Sequence, residues 1–263
     1  AAVASGALIS PRGAMGPTML QAQSPAVAVI AIVVLLLISI GVAAGVSRLI
    51  NAAVGIFVLG WGIAILAMRS ATIEEIAFGG GSLSMVAIET LVWALLILGA
   101  TIAVFKLGGP LDDISPDPDT DKRPGLFSKQ SLISAAAGVI VLPVVWLLTR
   151  TTAPGQAAGA VLVGAMLAGL AGRLLSPHVQ PILLFASPCF FGAIGHFIGQ
   201  TMLRGASLSD AYVNGSVPML SLPMPLDYAA GTLIGIPLGL GWAKSFLHEE
   251  EDDERTKSAP STA

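Results

Sequence analysis

Long apolar runs separated by short polar segments dominate this chain. A helix rises about 1.5 Å per residue, so roughly 20 apolar residues cross the hydrocarbon core of a bilayer. Backbone polar groups in lipid must pair within their own segment, and the alternating pattern of a membrane barrel is absent from the sequence. We therefore predict an all-α, polytopic integral membrane bundle of about seven transmembrane helices. The predicted spans are Ala26–Ser47, Leu49–Met68, Ser84–Phe105, Leu132–Thr149, Ala157–Leu175, Ile182–Leu203 and Tyr228–Phe246.

The first two runs are almost continuous. A single bent helix over Ala26–Met68 is the alternative, but its length far exceeds the thickness of a bilayer. We expect a hairpin with a very tight turn, in which Gly45 supplies backbone freedom. Arg48 and Asn51 then form a polar tip at the headgroups.

The spans divide the chain into five predicted segments. Residues 1–25 form a polar N-terminal segment, and residues 26–105 carry helices 1–3. An Asp- and Pro-rich connector, 106–131, is expected to be a solvated linker. Residues 132–247 carry helices 4–7, and residues 248–263 form an acidic, disordered tail.

Proline marks two further features. Pro143, Pro188 and Pro237 interrupt spans and are expected to kink them. The segment Val217–Pro225 is apolar but contains too many prolines for an α-helix, so we expect it to lie against the outer ends of the helices.

Composition supports the membrane assignment and removes other classes. Of 263 residues, 54% are hydrophobic and 11% are charged, against about 25% charged residues in a soluble domain. The net charge of −3 leaves no broad basic surface for nucleic acid. One cysteine and three scattered histidines provide no framework for a disulfide, an iron–sulfur cluster or a haem. We expect no metal and no cofactor.

Basic residues indicate the orientation, since Lys and Arg mark the cytoplasmic side. With seven spans, nine basic residues fall on one side and four on the other. The first group is Arg48, Lys106, Lys122, Arg123, Lys129, Arg173, Lys244, Arg255 and Lys257, and the second is Arg12, Arg69, Arg150 and Arg204. We expect the N-terminus outside and the C-terminus inside, in the cytoplasmic membrane of a bacterium. Six of these basic residues lie near span ends, where their charged groups can extend to the headgroups: Arg48, Arg69, Arg150, Arg173, Arg204 and Lys244.

Small residues recur at four-residue spacing in the later spans. Such stripes let helix backbones approach closely, where packing drives association in lipid. We predict helix-packing roles for Gly164, Gly172, Gly195, Gly199, Gly231, Gly235 and Gly239.

Two ionisable residues fall deep inside predicted spans, where charge is costly. Glu89 and His196 each lie roughly 8–10 Å below the outer interface by helical rise. Gln200 lies one turn from His196 on the same face. A Glu–His pair is one hypothesis for this candidate polar site, and separate structural roles for the two side chains are the alternative.

No arrangement for nucleophilic catalysis is recognisable, and the Gly-x-Ser-x-Gly elbow is absent. We expect a protein that is not an enzyme. The favoured function is a non-catalytic subunit or assembly component of a larger membrane complex, with lipids and other membrane subunits as partners. A small transporter or channel using Glu89 and His196 is the alternative.

Overall fold

The computed structural model describes residues 2–114 and 124–258, and the predicted all-α membrane bundle is confirmed. No strand occurs in these two ranges, apart from an isolated β-bridge between Ile9 and Met15. The helices are α1 (Ala2–Ala7), α2 (Pro25–Leu49), α3 (Ala52–Ala67), α4 (Ile73–Phe78), α5 (Leu83–Gly108), α6 (Lys129–Ala136), α7 (Val141–Leu148), α8 (Pro154–Leu175), α9 (Ile182–Met202), α10 (Leu208–Val213) and α11 (Pro225–Ser258), with 3-10 turns at Ala137–Ile140 and Met219–Ser221.

Five helical stretches in the described ranges are long and apolar enough to cross a membrane. They are Pro25–Leu49, Leu83–Gly108, Lys129–Leu148, Gly155–Leu175 and Ile182–Met202. The second predicted span corresponds to the shorter apolar helix α3, and the seventh lies within α11.

Helix α2 shows how the bundle faces lipid. Ala28 and Ile32 are fully buried on one side of this helix, whereas Ile30, Leu37 and Ile38 on other sides are each more than 60% exposed. Such apolar exposure suits a hydrocarbon solvent, where burial against protein gives no hydrophobic gain.

The α2–α3 hairpin forms, but its turn differs from the prediction. Helix α2 continues through Gly45, and the connection is Ile50 and Asn51. The Asn51 side chain accepts a hydrogen bond from the Val54 amide at 3.0 Å, which caps α3. The turn therefore lies after Gly45, and the Asn51 cap defines where α3 begins.

Helix α11 lies at the centre of the bundle. Tyr228, Leu233 and Ile236 are fully buried along it. A Cβ placed on Gly60 of α3 would come within 2.9 Å of Leu233, so the two backbones approach closely.

Pro143 falls in the helical stretch that carries a 3-10 turn. Proline lacks an amide hydrogen and cannot bond the carbonyl four residues earlier, at Val139. The turn Ala137–Ile140 lies immediately before this position and tightens the chain there. Pro188 and Pro237 lie inside α9 and α11, which continue through them.

A folded layer covers the end of the bundle that we call outer, following the predicted orientation. This outer layer consists of residues 2–24, 69–82 and 203–224. A small apolar core joins the segments 69–82 and 203–224 of this layer to the start of α5, and it is built from Ile73, Ile76, Ala77, Leu83, Val86, Leu203, Leu208, Ala211, Leu222 and Met224. Leu8, Met19 and Ala22 of the N-terminal segment are buried in the main core of the bundle, so this segment is also folded onto the protein.

The connector 106–131 is not simply a solvated linker. Leu111 and Ile114 are buried, and the Gln180 side chain bonds the Leu111 amide at 2.9 Å and its carbonyl at 3.3 Å. Arg173, expected to extend to headgroups, is buried instead and bonds the Asp113 carbonyl at 2.9 Å. The positions 115–123 lie outside the described residues.

The predicted disordered tail begins as helix. Helix α11 continues to Ser258, because Glu, Lys and Arg after His248 are strong helix formers. Residues 259–263 lie outside the described range.

Candidate functional site: buried polar groups beneath the outer layer

Glu89 binds the N-terminal segment rather than another ionisable side chain. Its side chain is 2% exposed, on α5. One carboxylate oxygen accepts the Met19 amide at 2.7 Å, and the other accepts the Leu20 amide at 3.1 Å. Hydrogen bonds to a charged group are among the stronger ones in proteins. A buried carboxylate therefore fixes the segment that precedes α2.

Glu75 provides a second attachment for the same segment. Its carboxylate accepts the Ser10 hydroxyl at 2.5 Å and lies 3.4 Å from the Arg12 guanidinium. The guanidinium also lies 5.6 Å from the centroid of the Phe78 ring, within cation–π range. The Ala71 amide donates to the Met15 carbonyl at 2.8 Å. The N-terminal segment is therefore fixed to both α4 and α5.

His196 is fully buried on α9, against an aromatic ring. The His196 and Tyr228 rings meet edge to face with centroids 5.6 Å apart. A Cβ on Gly192, one turn away, would overlap the Tyr228 ring. Glycine at 192 thus makes room for the tyrosine that covers the histidine.

No hydrogen bond or ion pair joins Glu89 and His196 in the described residues. Both histidine nitrogens lack a hydrogen-bond partner in the described part of the chain, and neither lies within ion-pair distance of Glu89. The Cys189 thiol reaches the Thr90 carbonyl at 3.3 Å, which puts Glu89 near the level of Cys189. His196 lies about 10 Å further along α9 by helical rise. By helical rise, His196 therefore lies nearer the outer end of the bundle than Glu89 does.

Asp227 is a buried carboxylate that sequence analysis missed. It is 4% exposed in the first turn of α11, and its Oδ2 accepts the Met224 amide at 2.8 Å. The sequence signal is an acid one residue before the predicted span that begins at Tyr228, and a position just outside a span does not by itself indicate burial. The apolar segment before it is buried with it, so the helix begins inside the protein.

Several hydroxyl groups near the outer ends of α9 and α11 lack a hydrogen-bond partner within the described ranges, as the His196 nitrogens do. They are fully buried and have no hydrogen-bond partner among the described residues, a costly state for a polar atom. These groups are Ser221 Oγ, Tyr228 Oη and Thr232 Oγ1. Tyr228 contacts His196, Ser221 lies against Gly199 one turn along α9, and Thr232 lies one turn after Tyr228 on α11. We call these four residues the His196 cluster.

No catalytic pair is assembled from these residues. The Cys189 thiol is committed to the Thr90 carbonyl, and His196 bonds neither to it nor to Ser221. In residues 2–114 and 124–258, no group of three His, Cys, Asp or Glu side chains is arranged to hold a metal ion.

Gln200 lies one turn beyond His196 on α9 and is half-buried. It belongs to the same helix face, but the structure gives it no hydrogen bond to His196. The three predicted polar residues thus do not form one hydrogen-bonded site.

The predicted packing glycines lie at close backbone approaches. On α11, a Cβ at Gly231 would come 2.7 Å from Val161, and one at Gly235 would come 2.8 Å from the Ala165 Cβ. A Cβ at Gly239 would overlap the Met166 carbonyl. These three positions make one continuous contact between α11 and α8.

The other four predicted glycines contact different partners. A Cβ on Gly164 would lie 3.0 Å from the Val141 backbone, one on Gly172 would lie 2.7 Å from Leu184, and one on Gly195 would lie 3.0 Å from Leu142. A Cβ on Gly199 would overlap the Ser221 hydroxyl. Glycine at 199 thus admits the loop that carries Ser221.

Within the outer layer, Tyr212 of α10 bonds the Glu74 carboxylate at 3.2 Å. Burial raises the pKa of the Tyr212 hydroxyl, and the hydrogen bond and negative charge of Glu74 raise it further. Tyr212 also meets Phe78 edge to face, with ring centroids 5.6 Å apart. The two outer loops are therefore joined to one another.

Comparison with known protein families, curated sequences and solved structures finds no match to this chain.

Proposed function

We propose that this protein is a non-catalytic integral membrane subunit or assembly component of a larger membrane complex. Its N-terminus would lie outside and its C-terminus inside a bacterial cytoplasmic membrane. The observation that carries this proposal is the environment of Glu89. Both of its oxygens bind main-chain amides of the N-terminal segment. The acid that a transporter would use for a cation or a proton is therefore occupied by the protein's own backbone.

The outer layer supports the same proposal. Its apolar core lies over the outer ends of α5, α9 and α11, and Glu75, Glu89 and Tyr212 bind its parts together. A folded cover of this kind suits a component that presents a fixed surface to partners. It is less suited to a carrier, which must open towards that side.

The test is co-purification from native membranes. An affinity-tagged chain, extracted in a mild detergent after brief cross-linking, should retain other membrane polypeptides in constant ratio. The comparison is an equally tagged variant in which Glu75 and Glu89 are both replaced by Gln. These substitutions should loosen the outer layer, so the variant should lose those partners. Recovery of the same set with both chains would contradict the proposed role of the outer layer.

A small transporter is the second candidate, and the His196 cluster favours it. Four buried polar side chains without partners carry an energetic cost that a ligand or ion could offset. If this candidate is right, purified protein in liposomes will move a solute, and His196→Gln will abolish the flux while leaving the folded protein intact. Equal flux through the wild type and the variant would remove the cluster from the pathway.

A further inference from the structure

A groove on the membrane face of the bundle is suited to a lipid chain. It has a volume of about 480 Å³ and lies between α5, α6 and α9. Leu95 and Leu98 line one wall, Leu183 and Phe190 the other, and Ala136 lies between them. The only polar side chain along it is Ser187, whose hydroxyl bonds the Leu184 carbonyl of its own helix at 3.0 Å. The groove therefore offers nothing to water.

The size of the groove distinguishes between two apolar occupants. One turn of a helix about 10 Å wide and 5.4 Å long fills roughly 420 Å³. The groove thus could admit only some side chains of a partner helix, and not the helix itself. A hydrocarbon chain is much thinner and can follow the whole groove. In a bilayer an apolar recess without water is filled by such chains.

Two lysines lie on the inner side of the groove, beyond the residues that line it, on two of the helices that form it. Lys129 begins α6 and precedes the groove residue Leu132 by one turn, so the two share a face. Lys106 follows Leu95 by three turns on α5. Both lysines are exposed, and within the described residues neither forms an ion pair. Two cations at headgroup level next to an apolar groove complement an anionic phospholipid.

We propose that this groove binds one anionic phospholipid of the leaflet on the inner side, with an acyl chain along Leu95, Ala136 and Phe190 and its phosphate near Lys106 and Lys129. The site is independent of whether the protein is a subunit or a transporter.

The experiment uses the full chain in detergent, titrated with phosphatidylglycerol or with phosphatidylcholine of the same chains and followed by native mass spectrometry. We expect phosphatidylglycerol to bind at least tenfold more tightly. Replacing both lysines by Gln should remove that preference, since each lysine contributes about fivefold. Lys244→Gln, on the same side of the bundle but away from the groove, is the matched control and should leave the preference unchanged.

Ala136→Phe tests the binding of the lipid's acyl chain separately from the binding of its headgroup. Ala136 is exposed in the groove, so a larger side chain can occupy the groove without displacing the core. It should reduce the binding of both lipids, and an unchanged melting temperature confirms folding. A phospholipid with a photoreactive acyl chain should label the wild-type groove peptides and not those of the variant. The proposal is overturned if the lysine variant keeps its phosphatidylglycerol affinity, or if Ala136→Phe leaves the labelling unaffected. A copurified protein cross-linked at the groove would also overturn it.

Discussion

At the residue scale, the carboxylate of Glu89 has a role that a polar isostere cannot fill. Gln has one acceptor oxygen, so Glu89→Gln would leave either the Met19 or the Leu20 amide facing an NH₂ group. We expect a loss of about 1–3 kcal/mol of stability and faster protease cleavage of residues 2–24. Thermal unfolding in detergent and limited proteolysis measure these effects. Asp112→Asn, at an exposed acid of the connector, should change stability by less than about 0.5 kcal/mol; an equal effect of the two variants would contradict the role of Glu89.

The lack of a hydrogen bond between Glu89 and His196 gives a second expectation at this scale. Because the two side chains share no hydrogen bond, the stability losses of Glu89→Gln and His196→Gln should add to within about 0.5 kcal/mol in the double variant. The free energies of unfolding of the wild type, the two single variants and the double variant form a double-mutant cycle that measures this. A double variant that loses clearly less than the sum would show that the two groups interact.

Glycines on one helix allow a matched comparison of packing. A Cβ at Gly235 would press on Ala165, whereas one at Gly241 meets nothing within 4 Å. Gly235→Ala should therefore cost about 1–3 kcal/mol, and Gly235→Leu considerably more. Gly241→Ala should be neutral or slightly stabilising, since Ala favours helix. Unfolding in detergent distinguishes them, and similar behaviour of the two alanine variants would place this stripe away from α8.

At the element scale, side-chain to backbone bonds hold the irregular segments in place. Gln180 bonds both main-chain groups of Leu111, so Gln180→Ala should release the start of the connector. Hydrogen exchange at residues 106–114 should speed up several-fold. Gln130→Ala, an exposed position on α6, serves as the control, and unchanged exchange in Gln180→Ala would mean that other contacts hold the connector.

The same contacts explain how much of the structure could be predicted. Apolar run length placed the helices, because hydrocarbon requires internal hydrogen bonding wherever the backbone crosses it. The hydrogen-bond partners of Glu89 and Gln180 could not be predicted, because they are backbone amides and carbonyls, which almost every residue carries. The tight turn was assigned to Gly45 because glycine is a visible signal, whereas the Asn51 cap depends on one local bond.

At the scale of the whole molecule, the distribution of basic residues predicts the orientation of the bundle in the membrane. Basic residues are in excess on the side that carries Ser128 and Ser258. Ser128→Cys and Ser258→Cys, each in a Cys189→Ala background, should therefore react with a membrane-impermeant thiol reagent only in permeabilised cells. A cysteine at Asn214, in the outer layer, should react in intact cells. The reverse labelling pattern would invert the topology.

The central claim is that the protein works as part of a larger membrane assembly, and the mass of the intact particle tests it most directly. Native mass spectrometry of the chain, extracted from its own membranes in mild detergent, should show particles heavier than 26.7 kDa that contain this chain and other membrane polypeptides in fixed proportion. Particles containing this chain alone would contradict the account.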